Sequence, residues 1–184
     1  MAAALFVKRG LPISALMIAE TYALANFQEL LPAPVQGSSV FAIPKLYGLV
    51  ALFNVVGTTF TLLKLSMKVG EARKKYDIKA PTMYAEGTSD EATQFNCVQR
   101  GHQNALETYP SFVALSLIGG LRHPVVTSLC GLLWSASRIK WAEGYAKGSD
   151  KRYSDHFLGV HIWTALVGVI FTSVSASFGI LNIF

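Results

Sequence analysis

FLGVHIWTALVGVIFTSVSASFGI, residues 157–180, contains no aspartate, glutamate, lysine or arginine. Its apolar side chains surround the helix axis instead of gathering on one face, whereas a helix of a soluble bundle buries a single stripe. About 20 mostly apolar residues cross a bilayer as a helix, so this stretch reads as a membrane span. A helix suits the role because it satisfies its own backbone hydrogen bonds where no water is at hand.

Working outward, residues 46–65 (LYGLVALFNVVGTTFTLLKL) form a second clear span, and 105–121 and 125–142 two more. The stretch 105–121 reaches spanning length when its polar approach, 93–104, belongs to the same helix. Composition agrees: the 184 residues are 52% hydrophobic and 15% charged, against roughly a quarter charged in a soluble domain. Mean hydropathy is +0.39. The expected fold is an all-α membrane protein, a four-transmembrane-helix bundle over 47–184 preceded by an N-terminal extension, 1–46.

Net charge is +5, and its placement carries the topology. Lys68, Arg73, Lys74, Lys75 and Lys79 follow the first span, and Lys147, Lys151 and Arg152 follow the third. The turn between the second and third spans carries Arg122. Loops one and three are therefore expected on the cytoplasm-like side. No nucleic-acid motif accompanies the basic runs, so no nucleic-acid partner is expected. Cys97 and Cys130 show neither metal spacing nor a CxxC pattern and are expected to be reduced and buried; no metal is expected.

Within the extension, residues 11–31 are apolar but interrupted by Glu20, Asn26, Gln28 and Glu29. Ser14, Thr21 and Gln28 recur every seventh residue, with Leu16, Ala19, Ala23, Phe27 and Leu30 roughly opposite. This is the pattern of an interfacial or partner-packing helix. PAPVQGSSVFAIPK, 32–45, reads as a linker. The basic, acid-poor start also fits an organelle-targeting peptide. One long helix is expected from Tyr47 to Tyr76, with Lys64 and Lys68 snorkelling to the headgroups. Thr88 and Glu91 have capping-box spacing at the start of a second helix. That helix would run to Leu121, about 50 Å, so its first turns project into water. Pro110 is expected to kink it. Pro124 opens the third helix after a tight turn.

The polar approach FNCVQRGHQNALETYP, 95–110, decides what the bundle is for. Arg100, Gln103, Asn104 and Glu107 fall at i, i+3, i+4 and i+7, one helix face. In lipid that face is costly, so it turns inward or toward another subunit. Either it satisfies itself, fastening helices together, or it binds a small zwitterion. In the second case arginine takes a carboxylate, glutamate an ammonium and the amides a peptide group.

FNCVQRGHQNALETYPSF (95–112) resembles the second-helix signature of the membrane-associated eicosanoid and glutathione metabolism family, the type-three microsomal glutathione S-transferases above all. EARKKYDIKAPTMY (71–84) resembles that family's first loop, and RIKWAEGYAKGSDKR (138–152) the end of its third helix. The resemblance implies a membrane glutathione transferase or peroxidase, with glutathione as co-substrate and sites between the subunits of a homotrimer. It implies that Arg100, Asn104 and Glu107 hold glutathione, joined by Tyr145. Arg73, with Lys74 beside it, would reach the ligand from a neighbouring subunit. Arg152 would stabilise the glutathione thiolate, with Lys151 as the substitute. His102 and Trp141 fall at site positions: His102 is as in the type-three members, where leukotriene-C synthases carry glutamine, and Trp141 departs from the tyrosine of many relatives. Trp141 can donate a hydrogen bond but not accept one. The implied membrane is the endoplasmic reticulum, with a mitochondrial membrane as the alternative. Two other roles share the fold: an accessory subunit of a larger membrane complex, and a non-catalytic lipid-binding relative.

Overall fold

A computed structural model describes residues 2–26 and 43–181. Within them lie five long helices and no strand: α1 Ala2–Asn26, α2 Tyr47–Lys75, α3 Asp90–Gly119, α4 Pro124–Ala146 and α5 Phe157–Ile180. Helices α2 and α5 are long and apolar enough to cross a membrane, with hydropathies of 1.6 and 1.9 over their most apolar windows. Only 28% and 44% of those windows are buried within the chain, so much of the apolar surface faces outward. A soluble core helix hides most of its apolar surface, and these two do not.

The chain divides into two compact units, and each of α2 to α5 contributes to both. The first comprises Met1–Gly57, Ser111–Leu132 and Trp163–Phe184, taken over the described residues. Here α2 opens into a wide π-helical stretch, Ala51–Gly57, which carries the fully buried Asn54. Asn54 Nδ2 donates to Ser116 Oγ and to Thr127 O, both at 2.9 Å. Such amide bonds fasten helices where lipid offers no hydrophobic drive. Gly131 makes the approach possible, since a Cβ there would collide with the Asn54 side chain.

Helix α1 packs into the same unit through Ile13 and Met17, which meet Val126, Val167 and Phe171. Its buried face is Ile13, Met17 and Glu20, while Leu16, Ala19 and Ala23 are exposed. The apolar face expected of an interfacial or partner-packing helix is thus turned away from this chain's own core. Ser14 and Thr21 of the seven-residue polar repeat donate their hydroxyls to their own helix, at Gly10 O and Met17 O. Phe27, Gln28, Leu30 and the linker 32–42 lie outside the described residues. Glu20, an interruption in the apolar pattern, is instead the anchor: its carboxylate accepts from the N–H groups of Val125 (2.6 Å) and Val126 (3.3 Å). Those are unpaired first-turn donors of α4, the positive end of its dipole. Glu20→Ala is expected to cost about 2 kcal/mol, the upper worth of a carboxylate on a partly buried helix N-terminus. Denaturant unfolding in mixed micelles measures it.

The second unit comprises Thr58–Pro110 and Leu133–Ile162. Ser89, not Thr88, caps α3: its Oγ accepts from Ala92 N–H at 3.2 Å, and α3 starts at Asp90. A cap hydroxyl serves the N–H three residues on, so starting one residue late takes Glu91 out of the box. Helix α3 continues through Pro110 to Gly119, and Pro124 opens α4. Asn96 on α3 clamps the preceding loop, giving one hydrogen bond to Ala85 O and taking one from Ala85 N–H. Gly101 and Ala142 let α3 and α4 meet closely, a Cβ at Gly101 falling 3.2 Å from that of Ala142.

Candidate functional site

The site grows from α3 in the second unit. Arg100 Nη1 lies 2.6 Å from Glu107 Oε1 and Nη2 lies 3.3 Å from Oε2, a two-point pairing across two turns. Asn104 Nδ2 reaches Glu107 Oε2 at 3.4 Å. Three of the four residues on the face read from the spacing, Arg100, Asn104 and Glu107, are thus an interacting set, and it lies partly open, with Arg100 and Glu107 side chains 42% and 40% exposed. Arg100 stands before the apolar segment that starts at Ala105. There the Glu107 carboxylate, then Tyr84, raise its pKa and keep it a cation.

Helix α4 supplies the other wall. Arg138, 1% exposed, donates through Nη1 to Asn104 Oδ1 at 2.7 Å and through Nη2 to Thr108 Oγ1 at 2.5 Å. Its guanidinium also lies over the Trp134 ring, 5.5 Å from the centroid. With its amide oxygen held by Arg138, Asn104 can direct only its NH₂ toward Glu107. Arg138, Trp141 and Tyr145 follow at i, i+3 and i+7 and share a face. Trp141 and Tyr145 stack with centroids 5.1 Å apart and planes 12° apart. Arg152 folds back from the loop over this stack, 5.7 Å from the Tyr145 ring and 5.3 Å from that of Tyr153. A hydrogen bond from its Nη1 to Ser149 O, 2.6 Å, holds the return.

The remaining expected residues are placed differently. Arg73 donates to Ile78 O and Thr82 O (3.3 and 2.7 Å) and covers Phe95, so within its own chain it holds the first loop. Lys74 is exposed. Lys151 is exposed too, and its carbonyl accepts from the N–H groups of Ser154 and Asp155. His102 points away from the Arg100 face and lines a cleft with α2. Cys97 is buried in the first turns of α3, and burial pushes its thiol up despite the nearby Ser149 backbone. Among the described residues no three His, Cys, Asp or Glu side chains gather as a metal site.

Arg138, Thr108 and Tyr153 are absent from the residue set expected on sequence. A signal for Arg138 was present: an arginine inside an apolar span marks a functional position, because such a cation is kept there against its cost. Thr108 carries no such mark, since a lone threonine in a helix is commonplace.

Fold and site together define an all-helical membrane protein with a hydrogen-bonded polar cluster, Arg100, Asn104, Glu107 and Arg138, joining two helices. Residues 51–172 match the model of the MAPEG family. The chain belongs to that family, and α1 lies outside the matched segment. It is 32% identical over 120 residues to microsomal glutathione S-transferase 2 of Bos taurus, covering 65% of this chain and 74% of that one. The Mus musculus protein of the same name is 31% identical over 112 residues, 60% of this chain and 72% of the relative. Leukotriene C4 synthase of Bos taurus is 25% identical over 132 residues, 70% and 84% of the two chains.

Proposed function

We propose that this chain is a membrane glutathione S-transferase, conjugating glutathione to hydrophobic electrophiles or using it to reduce lipid hydroperoxides. The observation that carries the reading is the Arg100–Glu107 pair beside an Asn104 oriented by the buried Arg138. Such a pair is self-satisfied when empty and opposite in charge to both ends of a zwitterion. On binding, the two side chains exchange each other for ligand groups: a carboxylate on Arg100, the ammonium on Glu107 and a peptide carbonyl on Asn104 N–H. Little is lost in the exchange, because a partly exposed ion pair is worth under about 1 kcal/mol.

Arg152 over the Tyr145 ring is the cation for the thiol. A nearby guanidinium lowers the thiol pKa and holds the thiolate, the nucleophilic form. Lys151 is the substitute for this role. In conjugation the thiolate sulfur bonds to the electrophilic carbon, and the departing group or opened oxygen takes a proton. In peroxide reduction the thiolate takes the terminal oxygen as sulfenic acid and releases the alcohol. A second glutathione then gives the disulfide and water. Trp141 gives this site a flat apolar wall where a phenol would offer an acceptor.

In this reading α2 to α5 each cross the endoplasmic reticulum membrane, with loops 76–89 and 147–156 on the cytoplasmic side. Three copies assemble, Arg73 and Lys74 serving the neighbouring site. Calorimetric titration of the detergent-purified protein tests the pocket. Glutathione is expected to bind, and Glu107→Ala to weaken it about tenfold, the worth of one charge-assisted hydrogen bond. Unchanged affinity in that variant would remove Glu107 from the site. The accessory-subunit reading, in a mitochondrial complex for example, is favoured by α1, which presents Leu11, Leu16, Ile18 and Tyr22 outward. Native mass spectrometry separates the two: a glutathione-binding homotrimer excludes it, and a single copy in a hetero-assembly supports it.

A further inference from the structure

A cleft of about 310 Å³ opens in the second unit between α2, α3 and α4. None of Arg100, Asn104, Glu107, Arg138 or Arg152 lines it, and His102 is the one residue of the expected glutathione set that does. Its walls are mostly apolar, from Leu65, Val98 and Ile139, and Ala72, Ala142 and Ala146 keep it open by being small. Lysines Lys64, Lys68 and Lys75 stand along its α2 side.

Two properties of this cleft point to one kind of occupant. Lys64 and Lys68 are one turn apart where the apolar run of α2 ends at residue 65, the level of lipid headgroups. Lys64 makes no ion pair among the described residues, and Lys68 is held only by Glu71, in a pair 57% and 63% exposed. The second acidic residue of the lining, Glu143, is occupied by Lys140 at 2.7 Å. The membrane end of the cleft therefore offers two ammonium groups above an apolar wall. A free small anion has no use for that wall, and a neutral lipid has no use for the lysines.

We propose that the cleft binds an anionic phospholipid, its phosphate on Lys64 and Lys68 and its glycerol and upper acyl segment against Leu65, Val98 and Ile139. The exposed Lys68–Glu71 pair opens at little cost to admit the phosphate. The site does not depend on glutathione chemistry, and its occupancy is read without glutathione present.

Delipidated protein in mild detergent, titrated separately with dioleoylphosphatidylglycerol and dioleoylphosphatidylcholine, tests this by native mass spectrometry. Phosphatidylglycerol is expected to bind in preference. Lys64→Ala should weaken it about fivefold and Lys64→Ala/Lys68→Ala about twenty-five-fold, the worth of one or two cations near a membrane surface. Phosphatidylcholine binding should not change, nor should Lys147→Ala matter, its lysine being paired with Asp155 outside the cleft. Equal binding of the two lipids, or equal loss in the Lys147 variant, overturns the proposal. Displacement of phosphatidylglycerol by glycerol 1-phosphate at matched concentration also overturns it, assigning the lysines to a free phosphate ester instead.

Discussion

Arg152→Ala is expected to lower glutathione-dependent turnover at pH 7 by at least about tenfold and to move its pH profile alkaline by one unit or more. The sign follows from which form the guanidinium favours. A cation beside the sulfur stabilises thiolate over thiol and lowers the thiol pKa, so its removal raises that pKa toward the free value of about 8.5. Turnover that depends on thiolate then falls at neutral pH and recovers as pH rises. The effect belongs near the lower end of the range because Arg152 is half-exposed and solvent screens it. Steady-state rates from pH 6 to about 9.5, a range bracketing the thiol, give the answer. Parallel profiles with an equal drop at every pH would mean that Arg152 holds the loop, through Ser149 O, rather than the thiolate. An alkaline shift in Lys151→Ala instead would transfer the role to Lys151.

The second large effect lies deeper. Arg138→Met is expected to cost about 3 kcal/mol of stability, the worth of two hydrogen bonds from a charged donor. It should also weaken glutathione binding by about a hundredfold, because Asn104 loses the bond that points its NH₂ toward Glu107. Methionine fills the volume but leaves Asn104 Oδ1 and Thr108 Oγ1 without their donor. Arg138→Lys restores charge yet reaches one of the two acceptors, since a single ammonium lacks the planar fork. Partial recovery of stability without recovery of binding is therefore expected from it. Thermal denaturation and glutathione titration on the same preparations separate the two readouts. Wild-type affinity in Arg138→Met would show that Asn104 is oriented without it.

Much of the site was legible because it lies along one helix. Arg100, Asn104 and Glu107 share a face by the 3.6-residue repeat, and hydrogen bonds join them there. The same repeat places His102 about 200° from Arg100, and it lines a different cleft. That separation was readable, but the motif groups residues by sequence and hides it. Glu20 shows the opposite failure. Within α1 it looks like an interruption of an apolar run, and its role appears only against the N-terminus of α4. Periodicity likewise does not show that Ile13 and Met17 are the residues of α1 that pack into this chain's own core.

The amino-acid sequence by itself determined the helical, membrane-bound character, the proline that opens α4, and the polar face of α3. Each rests on local physics: apolar length, a missing backbone donor, a repeat of 3.6. Tertiary structure alone decided that Arg138 is the post on which Asn104 turns, that Glu20 secures α4, and that Arg152 folds back over Tyr145. Those contacts join residues 34, 105 and 7 positions apart. The first two depend on how separate helices pack and the third on how a loop returns, and no period along the chain encodes either.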